Sequence, residues 1–360
     1  MANTLIAHQK LFKGAENNPL LAPRGIFVKN QMLFVSDTGQ NRVFIWKKMP
    51  QNLYQEPEVV LGQALQTDTG RNASGTVSAS SLQYPSGIWS DGQRLIIADA
   101  WNHRVLIWNE LPTQNGQFAD IVLGQPDFES NEPNVKGVNT PPTAQSLYWC
   151  YGVHSDGKSL WIADTGNRRV LYFKEIPTHS FASADAVIGQ PSFTERDYDP
   201  QNAVWAYSVK VSKNGQLAIT DTQYYRILLW NDWQSAFSKP ADIIIGQSDF
   251  FQNGQNQFGL FPKANTLNWC YDSCFYKNGI FVADTGNSRV LWFENLPKEN
   301  NLPADSLIGQ KDFVTGSENL ETILTTENTI YWAFSVAVED NLLAIADTGN
   351  HRIVLADLAI

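Results

Sequence analysis

Cysteine, histidine and uninterrupted apolar runs are scarce in this 360-residue sequence. The three cysteines, Cys150, Cys270 and Cys274, are odd in number and too few for a disulfide scaffold. The first residues, MANTLIAHQKLFKG, contain no basic segment leading into an apolar core, so we expect no secretory signal. No run of eighteen apolar residues occurs, so we expect neither a membrane span nor a membrane partner. These scarcities favour a soluble, cytoplasmic globular protein.

The sequence contains one repeated motif. At six places along the chain, an Asp precedes an Arg by five residues. The six pairs are Asp37 with Arg42, Asp99 with Arg104, Asp164 with Arg169, Asp221 with Arg226, Asp284 with Arg289, and Asp347 with Arg352. Successive pairs lie 57 to 65 residues apart. A chain built from six similar units follows from this spacing.

Each Asp–Arg segment is predicted to form the turn of a β-hairpin. A short run of Ile, Val and Leu precedes the Asp, and a second run follows the Arg, as in LWIADTGNRRVLYF (160–173). Asp, Asn and Gly between the two runs are turn residues. We interpret the Asp–Arg pair as a clamp on the turn, formed by charge-assisted hydrogen bonds. The alternative, six acidic ligands around a pore, is weaker because paired carboxylates are not free to bind metal.

Further landmarks give each unit four strands. A Pro-containing bend and a short apolar strand ending in Gly-Gln follow the hairpin, as at Gly124–Gln125, and a long polar loop leads to the next unit. Four strands repeated six times are typical of an all-β, six-bladed β-propeller, here a single domain spanning residues 1–360. The last unit lacks its Gly-Gln strand, so we expect the strand that begins near Leu5 to complete it and close the ring.

The repeated motif resembles that of the NHL-repeat propellers, in which Ala-Asp-Thr-Gly-Asn-x-Arg-Val follows an apolar strand in each blade. Blades 2 and 4 depart from the motif with DAWNHR (99–104) and DTQYYR (221–226). The resemblance covers nearly the whole chain and implies a closed NHL-type propeller. Such proteins act as protein-interaction platforms, RNA readers or extracellular sensors, and more rarely as lyases or hydrolases. Fold alone does not choose among these functions.

Aromatic residues concentrate where the long loops end, on the face that also carries the hairpin turns. The candidate ligand-binding residues there are Arg24, Trp149, Tyr151, Trp205, Tyr207, Trp269, Tyr271, Asp272 and Trp332. Two interpretations remain open: these rings pack as wedges between blades, or they line a binding surface at the mouth of the central channel. Blade 5 also has Asp272-Ser273 where other blades have Gly-Val or Ser-Val.

A metal or thiolate site is the second hypothesis. Cys150 and Cys270 occupy equivalent places in blades 3 and 5, and Cys274 is in register with His154. Thiolates with an imidazole suit zinc, copper or an iron–sulfur cluster, and one activated thiolate suits nucleophilic chemistry. However, zinc–sulfur bonds are about 2.3 Å long, and residues of alternate blades have to converge to share an ion. Buried cysteines also serve as small apolar fillers.

The charge balance of the chain argues against nucleic acid as a partner. The net charge is −10, and six of the eleven arginines belong to the repeat turns, which leaves few basic residues for nucleic acid. We therefore favour a non-enzymatic, monomeric scaffold that binds a protein or a small molecule at the aromatic mouth. The alternative is a lyase or hydrolase that uses the cysteine site.

Overall fold

The computed structural model describes residues 5–359, which form six four-stranded antiparallel sheets arranged as the blades of a propeller. The first twelve strands are β1 (Ile6–Phe12), β2 (Gly25–Lys29), β3 (Met32–Asp37), β4 (Arg42–Trp46), β5 (Val59–Leu61), β6 (Pro85–Ser90), β7 (Leu95–Asp99), β8 (Arg104–Trp108), β9 (Ile121–Leu123), β10 (Cys150–Ser155), β11 (Leu160–Asp164) and β12 (Arg169–Phe173). The others are β13 (Ala186–Ile188), β14 (Ala206–Val211), β15 (Leu217–Asp221), β16 (Arg226–Trp230), β17 (Ile243–Ile245), β18 (Asp272–Tyr276), β19 (Gly279–Asp284), β20 (Arg289–Phe293), β21 (Ser306–Ile308), β22 (Ala333–Glu339), β23 (Leu342–Asp347) and β24 (Arg352–Leu358).

Short 3-10 turns are the only other regular elements among residues 5–359. Six of them join the second and third strands of the blades: Thr38–Gln40, Ala100–Asn102, Thr165–Asn167, Thr222–Tyr224, Thr285–Asn287 and Thr348–Asn350. The remaining four are Arg71–Ser74, Trp233–Phe237, Gln255–Phe258 and Glu318–Glu321. The described part of the chain has no helix with the length and hydropathy of a membrane span.

Each blade is a meander whose first strand lies innermost. Blade 1 runs β2-β3-β4-β5, and blades 2 to 5 repeat this order. The six inner strands (β2, β6, β10, β14, β18 and β22) contact one another in sequence, and β22 contacts β2 again, so the ring is closed. Because both faces of the two middle strands of each blade are covered by neighbouring blades, those strands are mostly apolar and mostly buried.

The predicted closure by the amino-terminal strand is confirmed. Strand β1 pairs antiparallel with β24, from Ile6 opposite Leu358 to Phe12 opposite Ile353, and so supplies the outer strand of blade 6. This pairing ties the two ends of the described chain into one sheet. No unpaired edge remains between the first and last blades.

The Asp–Arg clamp predicted for the hairpins is present in all six blades. Each Arg Nε donates to one carboxylate oxygen of its Asp at 2.7 to 2.9 Å, and both side chains are buried. In blade 3, Arg169 also donates to the carbonyls of Phe193 and Thr143, while the second oxygen of Asp164 accepts the backbone N–H of Tyr148. Burial raises the pKa of each carboxyl, that of Asp37 to about 6, and the charge of the paired Arg opposes the rise. The clamp thus joins the hairpin to the end of the long loop that enters the blade and to the start of the long loop that leaves it.

The glutamine of each Gly-Gln pair holds the long loop against the hairpin turn. Gln125 donates to the carbonyl of His103 at 3.1 Å and to that of Glu132 at 2.9 Å. Gln63, Gln190, Gln247 and Gln310 make the equivalent bonds in their blades. The clamp residues and the glutamines of the repeat therefore fix the long loops, which end at the channel mouth.

Candidate functional site

Six side chains close the channel at the face that carries the hairpin turns, and we call this end of the channel the mouth. They come from the same position at the start of each inner strand. This inner ring consists of Arg24, Ser86, Tyr151, Tyr207, Tyr271 and Phe334. A bulge separates this position from the rest of the strand in blades 2, 3, 4 and 6, which lets the side chain turn toward the axis.

The rings of the inner ring pack on one another around the axis. Tyr151 stacks on Tyr207 with 4.6 Å between ring centroids, and Tyr271 stacks on Phe334 at 4.2 Å. Tyr207 meets Tyr271 edge to face at 4.7 Å. Tyr84, two residues before Ser86, extends the array by an edge contact with Tyr151 at 6.2 Å. Adjacent blades are therefore joined at the mouth by aromatic contacts.

Arg24 completes the array as its single cation. Its guanidinium carbon lies 4.2 Å from the centroid of the Phe334 ring and 5.1 Å from that of Tyr84. The side chain is half-buried, and its charge partly offsets the effect of burial on the pKa of Tyr207. None of the ion pairs formed within residues 5–359 includes Arg24. A cation therefore faces the channel between rings, without a carboxylate partner in the described chain.

The phenols of the array stay protonated at neutral pH. Burial raises the pKa of Tyr84, Tyr151, Tyr207 and Tyr271, that of Tyr271 to about 12. Each hydroxyl can therefore donate a hydrogen bond. The hydroxyls of Ser86 and Tyr207 lie 3.5 Å apart across the channel. The mouth thus combines aromatic faces with neutral donors and one positive charge.

Asp272 lies one residue beyond the inner ring and is fully engaged. Its carboxylate accepts from the Ser335 hydroxyl at 2.7 Å and from the backbone N–H of Val336 at 3.2 Å. The other oxygen accepts from the backbone N–H of Ser273 at 2.9 Å and pairs with Lys210 Nζ at 3.3 Å. The polar break in blade 5 is thus a link among blades 4, 5 and 6. Its carboxylate neutralises Lys210 rather than Arg24.

Little open space remains inside the ring. The cavity among these side chains admits the centres of water-sized molecules over about 20 Å³, which is room for one or two waters. On the blade 3 side, a Cβ added to Gly152 would lie 2.6 Å from the carbonyl of Tyr207, so the inner strands there pack without a gap. A ligand therefore lies over the mouth and inserts at most a small group.

Four tryptophans surround this array, and we call them the tryptophan rim: Trp149, Trp205, Trp269 and Trp332. Trp269 and Trp332 are 43% and 41% exposed, and Trp149 and Trp205 are half-buried, with ring centroids 6.0 Å apart. Trp149 lies near the rings of His103 in blade 2 and Trp205 in blade 4, and Trp269 lies against Tyr225 of blade 4, so the rim also contacts neighbouring blades. Packing between blades and a binding surface both stay predictions for the rim.

Three members of the rim have left-handed backbones, with φ of 51° at Trp149, 46° at Trp269 and 59° at Trp332. Tyr84 shares this conformation, with φ of 55°. Left-handed backbone is unfavourable for bulky side chains and concentrates at functional sites. Blade 4 differs from blades 3, 5 and 6. In those blades the residue before the tryptophan donates its backbone N–H to the clamp Asp, whereas in blade 4 Trp205 itself donates to Asp221. Trp205 does not adopt a positive φ.

Side chains of the hairpin turns hold the rim in place. The Nδ1 atom of His103 accepts the backbone N–H of Trp149 at 3.0 Å, and that of His351 accepts the N–H of Ala22 at 3.1 Å. Both histidines occupy the left-handed residue that ends the turn. His103 is buried, and burial lowers its pKa to about 4, so it remains a neutral acceptor. Each link joins one blade to the loop of the next.

The structure does not bring the three cysteines together. Cys150, Cys270 and Cys274 are buried in three separate hydrophobic clusters. Burial raises the pKa of all three thiols, so none is an activated thiolate. Within residues 5–359 no group of three or more His, Cys, Asp and Glu side chains has a metal-binding arrangement. The predicted shared site of these cysteines with His154 was wrong, because equivalent positions in alternate blades face different interfaces between blades. We call each interface between neighbouring blades a seam.

His154 is equally unsuited to the predicted role. It lies on β10 with its ring centroid 5.8 Å from that of Trp161, and burial lowers its pKa to about 3. The nearby charge of Lys210 lowers the pKa further. Its Nε2 atom is buried and has no hydrogen-bond partner in the described structure. The charge of Asp156 acts in the opposite direction but is outweighed by burial, so His154 is a neutral imidazole that packs beside Trp161.

The closed ring of six four-stranded blades defines a six-bladed β-propeller. No protein-family model and no curated protein matches the sequence, so membership of the NHL family stays a prediction. The fold is similar to that of an auxiliary nutrient binding protein from Bacteroides thetaiotaomicron VPI-5482, with 12% identity, 99% of this chain and 76% of that chain covered, and a TM-score of 0.54. A streptogramin B lyase structure aligns with 9% identity, 98% and 97% coverage, and a TM-score of 0.47. At such identities the likeness shows the fold alone.

Four residues of the mouth were missed from the sequence. Tyr84, Ser86, Phe334 and Lys210 stand at repeat positions whose equivalents in other blades are candidate residues. An alignment of the six units on the inner-strand position identifies the first three. Lys210 is found only through its contact with Asp272.

Proposed function

We propose that this propeller is a binding protein whose ligand, a protein segment or a small molecule, lies on the aromatic mouth. The observation that carries the proposal is the tryptophan rim: large apolar side chains held half-exposed, three of the four on left-handed backbones, around a cation without a carboxylate partner. Buried packing would repay that strain with burial of the whole indole, whereas Trp269 and Trp332 keep about two-fifths of their surface in solvent. Tryptophan and tyrosine at such positions are typical of binding hot spots.

The mode of binding follows from the shape of the mouth. Since the inner ring leaves room for only one or two waters, the ligand spreads over the rim. Apolar contact with the indoles supplies the free energy, at roughly 25 cal/mol per Å² removed from water. The protonated phenols and Arg24 orient polar groups of the ligand. A monomeric, cytoplasmic NHL-type scaffold is the form in which we expect this surface to work.

The competing thiolate or metal-dependent enzyme has no observation in its favour. Its candidate thiols are buried in separate clusters, and its histidine is neutral and enclosed. Nucleic acid is also a poor partner for the whole chain, which carries a net charge of −10.

Ligand-observed NMR with a library of aromatic fragments tests the proposal. The double variant Trp269→Ala with Trp332→Ala is compared with wild type and with Phe118→Ala, which removes an exposed aromatic ring (68% exposed) between β8 and β9 on the opposite face. We expect fragments to bind wild type and the Phe118 variant, and to lose saturation transfer with the double variant. All three proteins should melt within a few degrees of one another. Unchanged binding to the double variant would contradict the proposal, and so would a large fall in its melting temperature.

A further inference from the structure

Arg24 is a cation without an anion in a protein that has acids in excess. The chain contains 36 acidic residues against 26 basic ones, yet none of the acids described in residues 5–359 pairs with this guanidinium. The neighbouring charges do not satisfy it either, because Asp272 already pairs with Lys210 at 3.3 Å. The lining of the mouth therefore carries one uncompensated positive charge.

The surroundings of Arg24 fix its orientation and take up only part of its hydrogen-bonding capacity, because the Tyr207 hydroxyl accepts from its side chain. Phe334 and Tyr84 contact the guanidinium through their ring faces, which act on its π-face and its charge. Ring faces do not accept the in-plane N–H pairs, which are the donors that bind a carboxylate in a fork. Stacking also restricts the side chain, so that less conformational entropy is lost when an anion binds.

Neutral donors stand around the same point. Tyr84, Tyr151, Tyr207 and Tyr271 all lie close enough to Arg24 for its charge to lower their phenol pKa values against the effect of burial. The Ser86 hydroxyl of blade 2 approaches Tyr207 of blade 4 across the channel. An anion at Arg24 would accept from these hydroxyls as well as from the guanidinium.

Resting on the proposed function, we propose that the ligand carries a carboxylate that pairs with Arg24, while its apolar or aromatic body lies on the tryptophan rim. A carboxylate matches the single net positive charge of the lining and the planar fork of one guanidinium. It also fits a mouth with room for one or two waters. A phosphate monoester brings up to two charges and three oxygens, and one uncompensated cation does not balance it.

Matched probe pairs test this assignment. The probes are aromatic carboxylic acids (benzoic, 3-phenylpropionic and indole-3-acetic acid), the primary amide of each, and phenyl phosphate. Each is titrated by ligand-observed NMR against wild type, Arg24→Gln, Arg94→Gln and the double variant Trp269→Ala with Trp332→Ala. Arg94→Gln is a charge-matched control, since Arg94 pairs with Asp91 in the β6–β7 turn at the opposite end of the blade.

We expect each acid to bind wild type and Arg94→Gln at least tenfold more tightly than its amide, and phenyl phosphate to bind no better than the acids. Arg24→Gln should erase the preference for the acid while leaving amide binding unchanged. Acids and amides that bind equally, yet still need Trp269 and Trp332, would overturn the carboxylate assignment and leave the proposed function standing. If phenyl phosphate bound more tightly than the acids, the carboxylate assignment would likewise be overturned and the proposed function would stand. No binding by any probe would overturn both.

Discussion

The thiol of Cys150 in blade 3 donates a hydrogen bond to the backbone carbonyl of Arg104 in blade 2, 3.2 Å away. Cys270 makes the same link from blade 5 to Arg226 of blade 4, at 3.6 Å. Blades 2 and 4 are the two whose turns depart from Asp-Thr-Gly. At the other four seams, a turn Thr donates to the carbonyl at the position equivalent to the Cys: Thr38 to Pro85, Thr165 to Ala206, Thr285 to Ala333, and Thr348 to Pro23. The two cysteines thus donate the hydrogen bond at the two seams where no turn threonine does so.

Thiol reactivity should follow this assignment. In the folded protein, Cys150, Cys270 and Cys274 are expected to resist a chromogenic disulfide reagent at pH 8, because all three are buried and burial raises their pKa. Three thiols should titrate once the chain is unfolded in guanidinium. A thiol that reacts within seconds in the folded state would restore the reactive-cysteine hypothesis.

The seam threonines give a matched pair of variants. Thr165→Val removes the hydroxyl that donates to the Ala206 carbonyl and leaves a buried acceptor unpaired, so we expect a loss of about 1–2 kcal/mol in the free energy of unfolding. Thr222→Val removes a buried hydroxyl that has no partner in the described structure, and should be neutral or stabilising. Urea unfolding measures both. Equal losses would show that the hydrogen bond is not what matters at the seam.

Removal of one clamp arginine should destabilise the fold far more. Arg169→Met leaves the buried carboxylate of Asp164 without its cation and strips donors from the carbonyls of Thr143 and Phe193, so we expect a loss of about 3 kcal/mol or more. Arg168→Met, at the adjacent half-buried position, removes the same charge but only one bond, to the Arg196 carbonyl. The free energy of unfolding of the Arg168→Met variant should fall by only about 1 kcal/mol. Similar urea midpoints for the two variants would contradict the structural role of the clamp.

His154 should make stability depend on pH. Its folded-state pKa is about 3 against 6.5 when free, so below pH 6.5 the unfolded chain takes up a proton that the folded chain does not. Its contribution to stability is complete above pH 6.5 and is lost as the pH falls toward 3, at about 1.4 kcal/mol per unit. The stability of His154→Gln relative to wild type should therefore rise by about 2 kcal/mol between pH 7.5 and pH 5. A difference that does not change with pH would show that His154 binds protons equally in the folded and unfolded states, which contradicts the lowered pKa.

The sequence was sufficient for the architecture because the repeat controls it. Six Asp–Arg pairs at regular spacing required six hairpins, and the missing last strand required the amino-terminal one. These are local patterns of strand, turn and charge, and each was repeated often enough to be unambiguous.

The candidate site was predictable only in part, because contacts between blades depend on which seam a side chain faces. Cys150 and Cys270 occupy the same place in their own blades, yet each points at the blade before it. Arg24 could be selected from its position, but its lack of a carboxylate partner depends on Asp272 being held by Lys210, far away in sequence. The exposure of the tryptophan rim likewise arises from backbone conformation, which spacing does not reveal.

The most direct measurement follows the twelve indole N–H resonances of ¹⁵N-labelled protein, assigned by Trp→Phe variants, as indole-3-acetate is added. If the ligand lies on the mouth, the signals of Trp149, Trp205, Trp269 and Trp332 shift with a common Kd. Those of the fully buried Trp46, Trp108, Trp161 and Trp230 stay in place. Shifts confined to tryptophans outside the rim, or no shift at any concentration, would contradict a binding site at the mouth of this propeller.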